Sequence, residues 1–112
     1  MEEYEENKFY KPNYSNLFNK IKDIKTPIKS NILMALLDGK WHSELDLIRV
    51  TKKQYSFVGA VTLGTMIHSL NHIIGNNYLQ KKIVDGKLYY KISDSYVGLT
   101  RAAYRFNPKT FL

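Results

Sequence analysis

Cysteine is absent from the 112-residue chain, which excludes disulfide staples, thiolate zinc sites and a cysteine nucleophile together. Long hydrophobic runs are missing too. The longest unbroken apolar stretch, Ile32 to Leu37, is far short of the roughly 18 residues that span a bilayer. The start, Met1-Glu2-Glu3, is acidic and unlike a secretory leader. A soluble, cytoplasmic protein with no membrane partner is expected. The six glycines are isolated, so no phosphate-cradling loop exists, and no Gly-x-Ser-x-Gly motif occurs. No catalytic residue is assigned, an enzyme is not expected, and nothing calls for a cofactor. Arginine is limited to Arg49, Arg101 and Arg105. The basic character is therefore lysine, which an AT-rich genome favours together with Asn, Ile and Tyr.

What is present is enough to fold. Hydrophobic residues make up 44% of the chain and charged residues 24%, proportions of a globular protein rather than a disordered one. The length suits one small domain that buries roughly 65% of its unfolded surface. The 17 Lys and Arg against 10 Asp and Glu give a net charge of +7. Four of the acids, Glu2, Glu3, Glu5 and Glu6, lie in the first six residues, so residues 7 to 112 carry +11. A polyanionic partner follows from that balance.

Residues 1 to 12 lack a periodic apolar face and read as a flexible acidic tail ending at Pro12. From Asn13, Tyr14, Leu17, Phe18, Ile21 and Ile24 recur at helical spacing, which predicts an amphipathic helix. Thr26-Pro27 stops it and caps the next helix, whose apolar side is Ile28, Ile32, Leu33 and Ala35 to Leu37, and which ends at Asp38-Gly39. Lys40-Trp41-His42 is a brief extended link, with Trp41 expected in the core and His42 as a hydrogen-bonded link residue. Ser43 and Asp46 form a variant capping box for a helix from Glu44 to about Val50. Thr51 to Ala60 shows no clear period and reads as a loop. Thr62 is the expected cap of the best-defined helix, with Leu63, Met66, Ile67, Leu70, Ile73 and Ile74 on one stripe and Gly75-Asn76-Asn77 at its end.

Asp85-Gly86 between two strand-like segments, Tyr78 to Val84 and Lys87 to Ser93, predicts a two-residue hairpin. If Val84 opposes Lys87, then Gln80, Lys82, Val84, Lys87, Tyr89 and Lys91 share one face. Leu79, Lys81, Ile83, Leu88, Tyr90 and Ile92 share the other, which is apolar except for Lys81. Leu99 to Phe106 suits a short final helix with Arg101 and Arg105 on one side.

Helix, brief strand, two helices and a hairpin follow one another in the order of a winged helix-turn-helix domain, which the chain resembles over about residues 27 to 100. Ile32-Leu33-Met34-Ala35-Leu36-Leu37-Asp38-Gly39 corresponds to the first helix of that family. Thr62-Leu63-Gly64-Thr65-Met66-Ile67-His68-Ser69-Leu70 corresponds to its recognition helix, and Lys87-Leu88-Tyr89-Tyr90-Lys91-Ile92-Ser93 to its wing. The chain looks most like small archaeal or bacterial regulators of the PadR, ArsR and MarR kind. The fold class expected is thus α+β, mainly α: a winged helix over residues 13 to 112, with an added N-terminal amphipathic helix and a short C-terminal one.

The resemblance implies a transcriptional regulator that binds double-stranded DNA, with the third helix in the major groove and the wing on the backbone. The helical face opposite the apolar stripe carries Val61, Thr65, His68 and His72, flanked by Ser69 and Asn71. These are the base-reading candidates: Asn71 could pair with adenine, His and Ser with several bases, and the Thr65 methyl could meet thymine. Backbone candidates are Lys52, Lys53, Lys82, Lys87, Tyr89 and Lys91. The resemblance also implies a homodimer, for which Tyr14, Leu17, Phe18, Ile21 and Ile24 are the candidate contact and a pseudo-palindromic operator the consequence; the alternative is that this stripe packs back onto its own domain.

Two features depart from the family pattern. The third helix holds no Lys or Arg, the commonest readers of guanine, and the connection from Val50 to Val61 is longer than a tight helix-turn-helix turn. His68 and His72 have the four-residue spacing of metal ligands but no acid between them and no evident third ligand, so no metal is assigned. The alternative to DNA binding is a winged helix used as a protein-protein assembly module in transcription or membrane-remodelling machinery, which an apolar rather than basic exposed face would favour.

Overall fold

The computed structural model describes residues 10–24 and 26–105, with side chains from Asn16 onward. The described chain is α+β and mainly helical. In order it forms α1 (Tyr10–Lys22), α2 (Pro27–Ala35), β1 (His42–Ser43), α3 (Glu44–Lys52), α4 (Ala60–Ile74), β2 (Leu79–Val84), β3 (Lys87–Ile92) and α5 (Asp94–Arg105). The three strands pair antiparallel in the order β1-β3-β2.

α1 begins at Tyr10, inside the stretch read as tail, because Pro12 falls in its first turn, where a backbone N–H has no intrahelical partner to lose. The remainder of the acidic segment lies outside the described residues. Thr26 stands at the N-cap of α2 ahead of Pro27, but through its backbone alone, with no side-chain capping bond. The α-helix ends at Ala35. Leu36, Leu37 and Gly39 continue in tighter turns of i to i−3 hydrogen bonds, and Gly39 at φ +75° makes the left-handed exit that glycine permits. Ser43 caps α3 as expected, its hydroxyl accepting from the Asp46 N–H at 3.1 Å.

Three further boundaries differ from expectation. α3 runs on to Lys52 because Thr51 is buried and donates its hydroxyl to the Leu47 carbonyl at 2.8 Å. α4 starts at Gly59 and Ala60 instead of at Thr62: the Gly59 carbonyl accepts from Leu63 N–H at 2.9 Å, which places Thr62 inside the first turn. α5 starts five residues before Leu99. Its inner face is Val97, Thr100, Ala103 and Tyr104, a spacing disguised by a threonine and an alanine. Asp94 in the first turn also favours the helix dipole.

One core joins all helices and the root of the sheet. Ile32, Leu33 and Leu36 of α2, Leu47 of α3, Leu63, Ile67, Leu70 and Ile74 of α4, and Tyr90 and Ile92 of β3 are all buried. α1 lies against α5 and α4. Ile21 and Ile24 belong to this core, and Leu17 and Phe18 pack against it. The stripe offered as a dimer contact is therefore covered by its own chain at those four positions, because α5 supplies the apolar face that α1 needs. The Tyr14 side chain lies outside the described ones. Among the described residues no helix is long and apolar enough to cross a membrane.

The hairpin has the expected register, Val84 opposite Lys87 through Leu79 opposite Ile92. Asp85 at φ +51° and Gly86 at φ +75° make the two-residue turn whose twist suits paired strands. β2 is embedded only at its root: Leu79 is buried while Gln80 to Val84 are exposed, and Ile83, on the nominally apolar face, is 68% exposed. The hairpin projects from the body.

Candidate nucleic-acid interface

α4 offers one side to the core and the other to solvent. Leu63, Ile67, Leu70 and Ile74 are buried, whereas Val61, Thr65, His68 and His72 are exposed and Ser69 is half-buried. The structure thus brings Thr65, His68, Ser69 and His72 together on the outer face. Thr65 donates its hydroxyl to the Val61 carbonyl one turn back at 2.9 Å, so its hydroxyl is engaged.

Asn71 has a different role from the one expected. Its amide oxygen accepts from the Leu79 N–H at 2.8 Å and its amide nitrogen donates to the Leu79 carbonyl at 3.2 Å. Both halves of the amide clamp the first residue of β2 to α4, which fixes the amide toward the hairpin root. Ser93 completes this joint, its N–H donating to the Tyr78 carbonyl at 2.9 Å and its hydroxyl to the Asn77 carbonyl.

Between the outer edge of α4 and the hairpin runs a groove of about 690 Å³, lined among others by Gly64 and His68 from α4 and by Gln80, Lys81 and Lys82 from β2. Trp41 forms part of its wall. It is half-buried and stands outside the core cluster, against the expectation of a core tryptophan. Lys82 Nζ lies 4.4 Å and Lys91 Nζ 5.3 Å from the centre of its ring, so two cations share one aromatic residue. Lys82 is also 5.9 Å from the Tyr89 ring.

The lysines are not equivalent. Lys52, Lys53, Lys82 and Lys87 are exposed. Lys91 donates to the Asp94 carboxylate at 2.9 Å and its side chain is only 15% exposed, so its charge is neutralised within the chain. It is withdrawn as a backbone contact. Lys81 and Trp41 take their places in the groove, and sequence reasoning had passed over both. Lys81 was visible as the one charge on an apolar face. Trp41 was not, because it precedes β1 and only the β1–β3 pairing, His42 opposite Tyr90, sets it beside Lys91.

Acid is scarce around this surface. From Leu47 to Val84, a stretch that includes all of α4 and β2, the chain has no Asp or Glu. Asp38, on the α2 exit, accepts from His42 at 2.9 Å. Burial would raise its carboxyl pKa, but the bonds from His42 and from the Lys40 N–H, with their charges, bring the net value below the ordinary one. His42 is thereby the hydrogen-bonded link residue expected. Among the described residues no group of three or more His, Cys, Asp or Glu could hold a metal ion. No protein-family model, no curated protein and no solved structure matches this chain.

Proposed function

We propose that the protein binds duplex DNA as a winged helix-turn-helix domain, with α4 entering the major groove and the β2–β3 hairpin acting as the wing on the backbone. The observation that carries this reading is the groove between α4 and a projecting lysine-bearing hairpin, with Lys81 and Lys82 and no carboxylate in its lining. An α-helix about 10–12 Å across suits a major groove about 12 Å wide. Lys52, Lys53, Lys82 and Lys87 face solvent, and Lys81 lines the groove, where each could neutralise a phosphate.

Fluorescence anisotropy with a labelled duplex, repeated across salt concentrations, tests it. Five phosphate contacts would give a slope of about −4.5 for log affinity against log salt. Lys82→Ala should flatten that slope by about 0.9, whereas Lys91→Ala should leave it unchanged because Asp94 already neutralises Lys91. Absence of binding at low salt would exclude the reading.

The assembly-module reading has one observation in its favour: Phe57, Val61 and Ile83 are 68%, 84% and 68% exposed. It predicts association with a protein that persists at high salt. A homodimer is tested separately by light scattering, since Leu17, Phe18, Ile21 and Ile24 no longer argue for one.

A further inference from the structure

Near its start the outer face of α4 is apolar, and its hydrogen-bonding groups His68, Ser69 and His72 lie farther along the helix. It has no Lys or Arg to read guanine, the Asn71 amide is held by Leu79, and the Thr65 hydroxyl is held by the Val61 carbonyl. What remains outward near the start of the helix is the Val61 side chain, 84% exposed, and Thr65, whose hydroxyl proton is committed and whose methyl is not. Phe57, just before the helix, is 68% exposed, with the Tyr55 ring edge-on at 6.4 Å. Gly64 lies between Val61 and Thr65, and a Cβ there would meet nothing within 4 Å, so the helix backbone is open to close approach.

In the major groove only one group answers apolar side chains, the thymine C5-methyl. We infer that Val61, Thr65 and Phe57 select DNA by contact with thymine methyl groups, so that the preferred sites are A·T pairs read in the major groove. The inference rests on the DNA-binding reading above. The spacing agrees: four helical residues advance about 6 Å, close to two base steps of about 3.4 Å each. Lysines outside α4 would supply affinity by binding phosphates and the methyl contacts would supply preference, which explains how a helix without Lys or Arg could read sequence.

Replacing thymine by deoxyuridine removes the methyl while leaving pairing and charge intact. A duplex is first selected from a random-sequence library, then synthesised with thymine or with deoxyuridine at every T, and affinities are compared by anisotropy. Loss of one contacted methyl, about 0.8 kcal/mol, should weaken binding about fourfold, and several should multiply. Val61→Ala and Thr65→Ser, the latter keeping the hydroxyl bond, should weaken binding to the thymine duplex and narrow the gap between the two duplexes. Equal affinity for both duplexes, with binding intact, would overturn the inference and leave the DNA reading standing. No binding to either duplex at low salt would overturn both.

Discussion

Ile21 of α1 and Ile83 of β2 are the same side chain on the apolar side of two amphipathic elements, yet the first is 1% exposed and the second 68%. α1 lies along α5 and α4, and its apolar residues complete a core that those helices leave open. The outer strand of the hairpin, β2, is held at its root, where Asn71 clamps Leu79 and where Ser93 bonds Tyr78 and Asn77. β3 pairs with β1 and buries Tyr90, whereas Gln80 to Val84 of β2 are exposed. The difference separates a helix whose apolar stripe is enclosed by its neighbours from a strand that presents both apolar and cationic side chains to solvent. Truncating an apolar side chain should cost stability in the first and little in the second.

The largest effect that could break this separation is a matched pair of truncations. Ile21→Ala should cost about 2–5 kcal/mol, the range for emptying a buried isoleucine site. Ile83→Ala should stay within about 0.5 kcal/mol, as for an exposed position. Urea unfolding monitored by circular dichroism measures both, and comparable losses would mean that the hairpin face is covered after all.

Alkaline pH probes the buried tyrosines of the body. Burial, offset in part by a hydrogen bond with the Ser30 side chain, pushes the Tyr104 phenol up to about 12, and burial raises Tyr78 despite its 2.5 Å bond to the Thr100 hydroxyl. A phenol whose pKa is higher folded than unfolded stabilises fully below the unfolded value near 10. That contribution falls as pH rises toward the folded value, because the unfolded chain ionises first. For Tyr104 the loss between pH 10 and 12 should be about 2–3 kcal/mol. Urea unfolding at a series of pH values checks it, and flat stability over that window would contradict the burial.

The joint between the two regions is tested by Asn71→Ala. Losing both bonds to Leu79 should cost about 1–3 kcal/mol and raise amide exchange at the hairpin root. A change in DNA preference without any loss of stability would instead return Asn71 to base reading.

The smallest expected effects come from two helical glycines. A Cβ at Gly64 or at Gly98 meets nothing within 4 Å, so each Gly→Ala change should stabilise the fold by roughly 0.5–1 kcal/mol. Only Gly64→Ala should also weaken DNA binding, since Gly64 lines the groove and Gly98 does not. Thermal melts and anisotropy on the two variants separate the roles.

The hairpin register, the cap at Ser43 and the inward and outward faces of α4 were legible in the sequence because each depends on neighbours within a few residues. Asp-Gly sets the turn, alternation sets the two strand faces, and a period of 3.6 sets the helix stripe. The start of α5 was hidden by Thr100, whose hydroxyl is satisfied by the Tyr96 carbonyl and by Tyr78, a residue far away in the chain. The same limit governs the site. Lys82 and Lys91 alternate on one strand face and look identical in sequence, but α5 begins with Asp94, which reaches Lys91 and not Lys82.

By itself, then, the sequence determined a lysine-rich, cysteine-free α+β chain with a hairpin and a helix whose outer side lacks charge. Tertiary structure decided which polar groups on those elements stay free: Asn71 was taken by Leu79, Lys91 by Asp94, and the apolar stripe of α1 by α5. Local periodicity specifies the direction in which a side chain points. Whether it meets water or a partner depends on where the rest of the chain packs, because hydrogen bonds and apolar contacts act only over a few ångströms.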